Sequence, residues 1–537
     1  MDVQANKEKG KRRLFLASIT FAATIGGLLF GYVTAVISGA VKAIEHFFIK
    51  GLMEDAAFAS SVIFQFRIVV LVIVFGIIGV TYSLFRKLFD KKKALSINVF
   101  LGLIAITLGF IWLISPAEAS ETALSSIKGF TVSSALIGCI IGGVIGDKVS
   151  LSLGRRKGLL LAATLFAFSA LGSALPDTLN IFGTHDIISF IIYRIIGGVG
   201  VGLASMLTPM YIAEVAPAED RGKLVSWNQF AIIFGMLVVY FVNYYIAKGQ
   251  SEEWIFSIGW RYMFASELIP AFLFLLFMFL VPETPRFFIM KGQEENANKI
   301  LNKIYNPIEA KKVLGEIQSS FSIKEKPWLH YGSLVIFVGI FLSIFQQFVG
   351  INVVLYYAPE IFRTIGADTD SSLFQTILVG IINLSFTVIA IFSVDRFGRK
   401  PLMVIGALGM AVSMISLGFV FYMQNVGLAA LIFMLAYTAF FAMSWGPVTW
   451  VLLSELFPNS IRGAMSIAVA IQWLANLAVS WTFPMMNDSS VLSNLFHHGF
   501  AYWIYGLMAI LAALFMWKFV PETKGKSLEE IENCWIN

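Results

Sequence analysis

Charge is what this chain has least of. Of its 537 residues, 13% are Asp, Glu, Lys or Arg and 58% are hydrophobic, whereas soluble domains carry about 25% charged residues. No water-soluble core hides that much apolar surface, so a lipid bilayer is the expected solvent. Cysteine is nearly missing too: Cys139 lies in an apolar run and Cys534 near the end of the chain, which excludes a disulfide framework. The five histidines (His46, His185, His330, His497 and His498) form no metal-spaced cluster, and no Ser/His/Asp or Cys/His set has the spacing of a nucleophile with its base. No metal site, cofactor or catalytic residue is assigned, and the chain is not read as an enzyme. A complete Gly-x-x-x-x-Gly-Lys-Ser/Thr run is also missing, which argues against an ATP-driven pump. The net charge of +6 comes from short basic clusters between apolar runs. That is the pattern of membrane topology, not of a nucleic-acid surface.

What the chain does have, it has twice. Glu214-x-x-Pro217-x-x-x-Arg221-Gly222 recurs as Glu455-x-x-Pro458-x-x-x-Arg462-Gly463, an offset of 241. Gly154-Arg155-Arg156 recurs as Gly398-Arg399-Lys400 at 244, and Pro282-Glu283-Thr284 as Pro521-Glu522-Thr523 at 239. Three charged motifs in one order at nearly one spacing mark two homologous membrane halves in parallel repeat, with a substrate site expected between them.

A spanning helix needs about 20 apolar residues. Fourteen segments qualify, near 14–41, 61–85, 94–114, 127–147, 157–175, 186–213, 223–247, 261–281, 330–358, 372–394, 401–422, 427–454, 463–485 and 499–520. Twelve fit the duplicated plan. The second and third are an extra helix pair inserted at about 50–125. With the N-terminus inside, the loop joining this pair carries Arg86, Lys87, Lys91, Lys92 and Lys93 to the cytoplasmic face, and the later basic clusters fall on the same face. Arg67 interrupts the first helix of the pair, so a buried or interfacial hairpin remains its alternative. The expected organisation is a cytoplasmic tail (1–13), an N-terminal half (14–282), a cytoplasmic helical linker (283–329), a C-terminal half (330–520) and a cytoplasmic tail (521–537) in which Leu528 and Ile531 suit an amphipathic helix. This all-α polytopic protein belongs in a plasma membrane with both termini inside. It is expected as a monomer, with the inserted pair as the place for any oligomer contact.

The repeated charges sit at cytoplasmic helix ends. Glu214 is placed to accept from Arg155 or Arg156 and from Arg221, and Glu455 from Arg399 and Arg462. Desolvated guanidinium–carboxylate pairs are strong, and pairs reaching between the halves would latch the cytoplasmic side in one state and part in the other. Within the apolar segments, polar side chains are costly and face a cavity or a partner. The densest stretch runs Gln346-Gln347-Phe348-Val349-Gly350-Ile351-Asn352 to Tyr356-Tyr357. Amides and aromatic faces suit a neutral polyol, while interhelical amide bonding is the competing structural role. Gln229, Asn383, the Ser444-Trp445-Gly446-Pro447-Val448-Thr449-Trp450 run, and Gln472 with Asn476 on one helix face beside Trp473 extend the set. The glycine run Gly197-Gly198-Val199-Gly200-Val201-Gly202 imitates a phosphate loop but lies inside an apolar segment, where close helix packing is expected.

Together these motifs resemble the sugar porter family of the major facilitator superfamily. The likeness rests on Gly-Gly-Leu-Leu-Phe-Gly-Tyr at 26–32, Tyr193-Arg194 before the glycine run, Pro282-Glu283-Thr284-Pro285-Arg286, Gln346-Gln347 through Tyr357, Asp395-Arg396-Phe397-Gly398-Arg399-Lys400, and Pro521-Glu522-Thr523-Lys524-Gly525. It covers nearly the whole chain outside 50–125. Tyr193 to Ala213 and Leu342 to Glu360 resemble the family's bacterial proton-coupled xylose carriers. The resemblance implies alternating-access transport of D-xylose or a related pentose or hexose. It implies that Gln229, Gln346, Gln347, Asn352, Asn383, Trp450, Gln472 and Trp473 contact the sugar, with Phe30 and Tyr357 lining the site.

Two departures stand out. Leu151 occupies the place, three before Gly154, where the family carries an acidic or amide residue. Val33 replaces the first-helix aspartate that in the symporters is thought to take the coupling proton beside the arginine matching Arg194. Arg194 and Glu267 remain, both deep in apolar segments, and Glu267 is the expected partner of Arg194. These readings point to weak or lost proton coupling, with a facilitative uniporter as the alternative to a symporter, a non-transporting sugar sensor behind both, and compensating groups such as Arg67 in the inserted pair.

Overall fold

Among the described residues of the computed structural model, fourteen helices are long and apolar enough to cross a membrane: α1 (Gly10–Met53), α2 (Ala56–Gly79), α3 (Lys91–Ile114), α4 (Glu121–Leu153), α5 (Arg155–Ala174), α6 (Asp186–Val215), α7 (Arg221–Ala247), α8 (Glu252–Leu280), α9 (Ser333–Thr364), α10 (Thr369–Val394), α11 (Arg399–Tyr422), α12 (Leu428–Leu456), α13 (Met465–Asn487) and α14 (Phe500–Phe519). The structure describes residues 2–181, 183–217, 219–320, 327–424, 427–457, 461, 464–526 and 530–531, and among these there is no strand. Arg462, Leu528 and Cys534 lie outside the described residues.

The helices form two six-helix halves, α1 with α4–α8 and α9–α14, plus the inserted α2–α3 pair. Between the halves, among the described residues, run three short helices, Pro285–Met290, Glu294–Ile304 and Pro307–Ser320. The halves meet where α4 packs on α13 and α7 on α10. Within the first half, the glycine run does what a close helix crossing needs: a Cβ on Gly198 of α6 would stand 1.8 Å from the Ala135 carbonyl oxygen of α4, and one on Gly138 would stand 1.9 Å from the Ile195 oxygen. Two backbones touch there, and only hydrogen fits between them.

The inserted pair consists of two full spans packed on each other. Helix α3 turns Val99, Phe100, Leu103, Ile106, Leu108 and Phe110 outward, as a lipid-facing helix does. Arg67 supplies no group to the centre of the protein. Its guanidinium donates to the Ser115 oxygen at 2.8 Å and the Pro116 oxygen at 3.0 Å, caps the carbonyls freed where α3 ends, and lies over the Trp112 ring.

Two helices of the second half are broken. In α9 the helix stops at Phe348 and restarts at Ile351, with Gly350 at φ +94°. That left-handed conformation favours glycine, and a Cβ would also stand 2.7 Å from the Tyr505 ring. The carbonyl of Val349, freed by the break, accepts from the Tyr437 hydroxyl at 2.8 Å. Helix α12 breaks at Ser444, and the Trp445 indole after it donates to the Met403 oxygen at 2.9 Å.

Candidate functional site

The two breaks deliver amides to one place. Gln346 Nε2 donates to the Trp445 oxygen at 3.2 Å, just past the α12 break. Its Oε1 accepts from Gln347 Nε2 at 3.0 Å and from Gln472 Nε2 of α13. Gln347 Oε1 in turn accepts from Asn352 Nδ2, beyond Gly350. Four side chains from three stretches of sequence thus form one buried amide chain. Gln472 Oε1 is buried without a partner, a free acceptor within the chain. Beside Gln472, the Trp473 ring reaches the first half, with its centroid 5.7 Å from that of Phe30 in α1. Tyr357 is fully buried: its hydroxyl donates to the Ser480 oxygen at 2.9 Å and its ring lies 5.0 Å from Phe483. Asn476 accepts from the Ser480 hydroxyl at 3.0 Å. Asn383 is buried on α10, while Gln229 and Trp450 are half-buried; among the described residues none of the three hydrogen-bonds to the amide chain.

The repeated charge sets are closed differently from the sequence expectation. Arg155 holds Glu214 at 2.7 Å, and Glu214 also accepts from the Thr284 hydroxyl at 2.6 Å. In the second half Arg399 holds Glu455 at 2.9 Å, and Thr523 donates to Glu455 at 2.6 Å. Each ion pair lies within one half, so these pairs do not latch the halves together. The reason is a helix cap that spacing alone does not show. Glu283 accepts the Arg155 amide at 3.0 Å and the Arg156 amide at 3.0 Å, and Glu522 accepts those of Arg399 at 3.1 Å and Lys400 at 3.0 Å. Each carboxylate seats at the positive N-terminus of the helix that carries the arginine and folds the arginine back onto its own half. Gly154 at φ +92° and Gly398 at φ +90° precede these helices, and a Cβ on Gly154 would stand 2.3 Å from Glu283 Oε2. Burial pushes the Glu283 carboxyl above its usual range despite those amides. Arg156 spends its guanidinium on the Met278 and Phe279 oxygens, and exposed Arg221 makes no ion pair with Glu214 among the described residues.

The central charges also part from expectation. Arg194 and Glu267 are each 1% exposed, yet no ion pair joins them among the described residues. Arg194 Nη1 donates to the main-chain oxygen of Val33 at 3.0 Å, and its guanidinium lies over the Phe264 ring. Val33 lies within α1, three residues before Val36, the one turn residue between the helical stretches ending at Ala35 and starting at Ile37. With no carboxylate at position 33, the guanidinium takes the main-chain carbonyl there. Glu267 Oε1 is buried without a partner, at the point where α8 is interrupted ahead of Pro270.

A family model described as "Sugar (and other) transporter" matches residues 113–535. The chain belongs to this sugar transporter family. Among its relatives is the D-xylose-proton symporter of Escherichia coli (strain K12), 52% identical over 97% of this chain and 96% of the relative. The glucose facilitated diffusion protein of Zymomonas mobilis is 42% identical over 79% of this chain and 91% of its own length. The inward open conformation of the E. coli xylose transporter superposes with a TM-score of 0.76 at 50% identity, covering 97% of this chain and all of that one. This sugar transporter is therefore a multi-pass major facilitator protein and not an enzyme. The match to the family model begins at residue 113, after nearly all of the inserted pair. With a symporter and a facilitator both among its relatives, the coupling mode rests on the residues.

Proposed function

We propose that this chain carries a monosaccharide, D-xylose or a related pentose or hexose, across the bacterial inner membrane by alternating access, and that it does so by facilitated diffusion. The observation that supports the substrate is the buried chain Gln472–Gln346–Gln347–Asn352 at the α9 break, facing Trp473 and Phe30. It offers donors, an unpaired acceptor at Gln472 and aromatic faces, with no fixed charge, which is the complement of a neutral polyol. Gln229, Asn383 and Trp450 complete the wall as the halves rock, and Tyr357 holds α9 to α13. The name of the 52% identical relative, a D-xylose-proton symporter, supports xylose. The charge sets, each closed on its own half, keep residues 14–282 and 330–520 rigid while 283–329 links them on the cytoplasmic side, where both termini lie.

The loss of coupling rests on Val33. Its side chain holds no proton, and its main-chain oxygen takes one N–H of Arg194 in place of a carboxylate. One observation favours a second reading: Glu267 stands beside this centre with an oxygen unpaired and is a buried carboxylate through which coupled uptake could run. Counterflow of labelled D-xylose in proteoliposomes tests the carrier reading. Exchange is expected. Binding without exchange would make the chain a sugar sensor.

A further inference from the structure

The end of the molecule opposite the arginine clusters carries a charge centre that neither the sugar site nor the repeats explain. Lys128, near the start of α4, is 4% exposed. Its ammonium contacts Glu45 of its own half at 3.0 Å, Asp488 of the other half at 2.9 Å, and Glu360 at the far end of α9. Two of its three partners therefore lie across the boundary between the halves. Other polar contacts cross the boundary at the same end. The Trp481 indole donates to the Ser126 oxygen at 3.0 Å, the Thr369 hydroxyl to Glu252 at 2.9 Å, and the Tyr240 hydroxyl to the Leu355 oxygen at 2.9 Å. A Cβ on Gly129, next to Lys128, would stand 2.1 Å from the Trp481 oxygen, so the two halves are in backbone contact there.

The geometry points to Lys128 as the positioning residue that locks this face shut, with Glu360 and Asp488 as its catch on the opposite half. The inference rests on the alternating-access reading. A rocking carrier must break whatever crosses the boundary on the face that opens. The buried ammonium gives up its Glu360 and Asp488 contacts when the interface opens, and removing one partner of such a cluster leaves the closed face with uncompensated charge. One lysine bonded to both halves therefore sets how the carrier divides its time between its two faces, without touching the sugar.

The test is accessibility of this face without sugar. Ser38 is 3% exposed and lines a small cavity with Glu360 and Arg363 beside the lock. Ser38→Cys, in a background with Cys139→Ala and Cys534→Ala, is labelled with a membrane-impermeant thiol reagent. Lys128→Ala should speed labelling by about tenfold or more. Lys128→Arg should leave it close to the parent, and adding Glu360→Lys to Lys128→Glu should slow it again. Unchanged labelling in Lys128→Ala, whether or not the protein melts at a lower temperature, overturns the lock. If Lys128→Ala does not fold, Asp488→Asn asks the same question at the more exposed of the two catch residues, and unchanged labelling there overturns it equally. Failure of xylose exchange with the labelling response intact would remove the carrier reading and leave the lock.

Discussion

Replacing Gln346 by alanine removes the hub of the amide chain. Three hydrogen bonds end on this side chain, one to the Trp445 oxygen and two from Gln347 and Gln472, and the residue is 3% exposed. In the proposed complex at least one of its polar atoms faces a sugar hydroxyl. Losing that bond while the neighbouring amides stay buried costs about 1–3 kcal/mol, a weakening of roughly 5- to 150-fold in Kd. Gln347 and Gln472 are free to turn toward the sugar once the hub is gone, so the lower part of the range is expected if they compensate. Equilibrium binding of D-xylose to purified Gln346→Ala, read by quenching of the tryptophan fluorescence and checked by calorimetry, measures the change directly. The same affinity as the parent, in a protein that melts normally, would show that the chain is interhelical glue and that the sugar lies elsewhere.

Other consequences follow from the caps and breaks. Gly154→Ala puts a Cβ 2.3 Å from Glu283 Oε2 at a φ of +92°. It should destabilise the first half by about 1–3 kcal/mol, seen as a lower melting temperature in detergent, and an unchanged melt would refute the cap. Burial pushes the Glu522 carboxyl upward, but the amides of Lys524, Arg399, Lys400 and Thr523 outweigh it and hold the group below its usual value. Its ionised form is thus favoured by folding. The contribution is complete above the unfolded carboxylate pKa of about 4.3, and it is lost as pH falls through the lower folded value. Glu522→Gln should flatten the melting temperature against pH in that acid window, whereas an unaltered profile would refute the assignment. Gly350→Ala forces a left-handed residue into the Tyr505 ring, and it should slow xylose exchange more than it lowers the melting temperature.

The sequence made the architecture legible because membrane spans are long apolar runs and because Glu214, Arg155 and Glu283 each have a counterpart at nearly one offset. It made the amide chain legible because Gln346, Gln347, Asn352 and Gln472 are expensive in lipid unless something pairs with them. Partners were harder to read. A repeat shows that Arg155 and Glu214 matter, but only the turn at Gly154, with Glu283 seated on the following amides, decides that the pair closes within one half. Arg194 bonds to a main-chain oxygen, which no pattern of side chains reveals. Lys128 stood in the sequence as one basic residue at a helix start. Its three carboxylates come from positions 45, 360 and 488, and no local spacing connects them.

The most direct measurement is labelled xylose uptake into proteoliposomes with and without an inward proton gradient, for the unmodified protein and for Val33→Asp. Val33 packs near Gly197, one turn along α6 from Arg194, so an aspartate there is introduced beside the buried guanidinium. Equilibration without accumulation in the unmodified protein, and accumulation above equilibrium in Val33→Asp, is the result predicted for a facilitator. Gradient-driven accumulation in the unmodified protein would contradict it and would point to Glu267 or the inserted helices as the proton site.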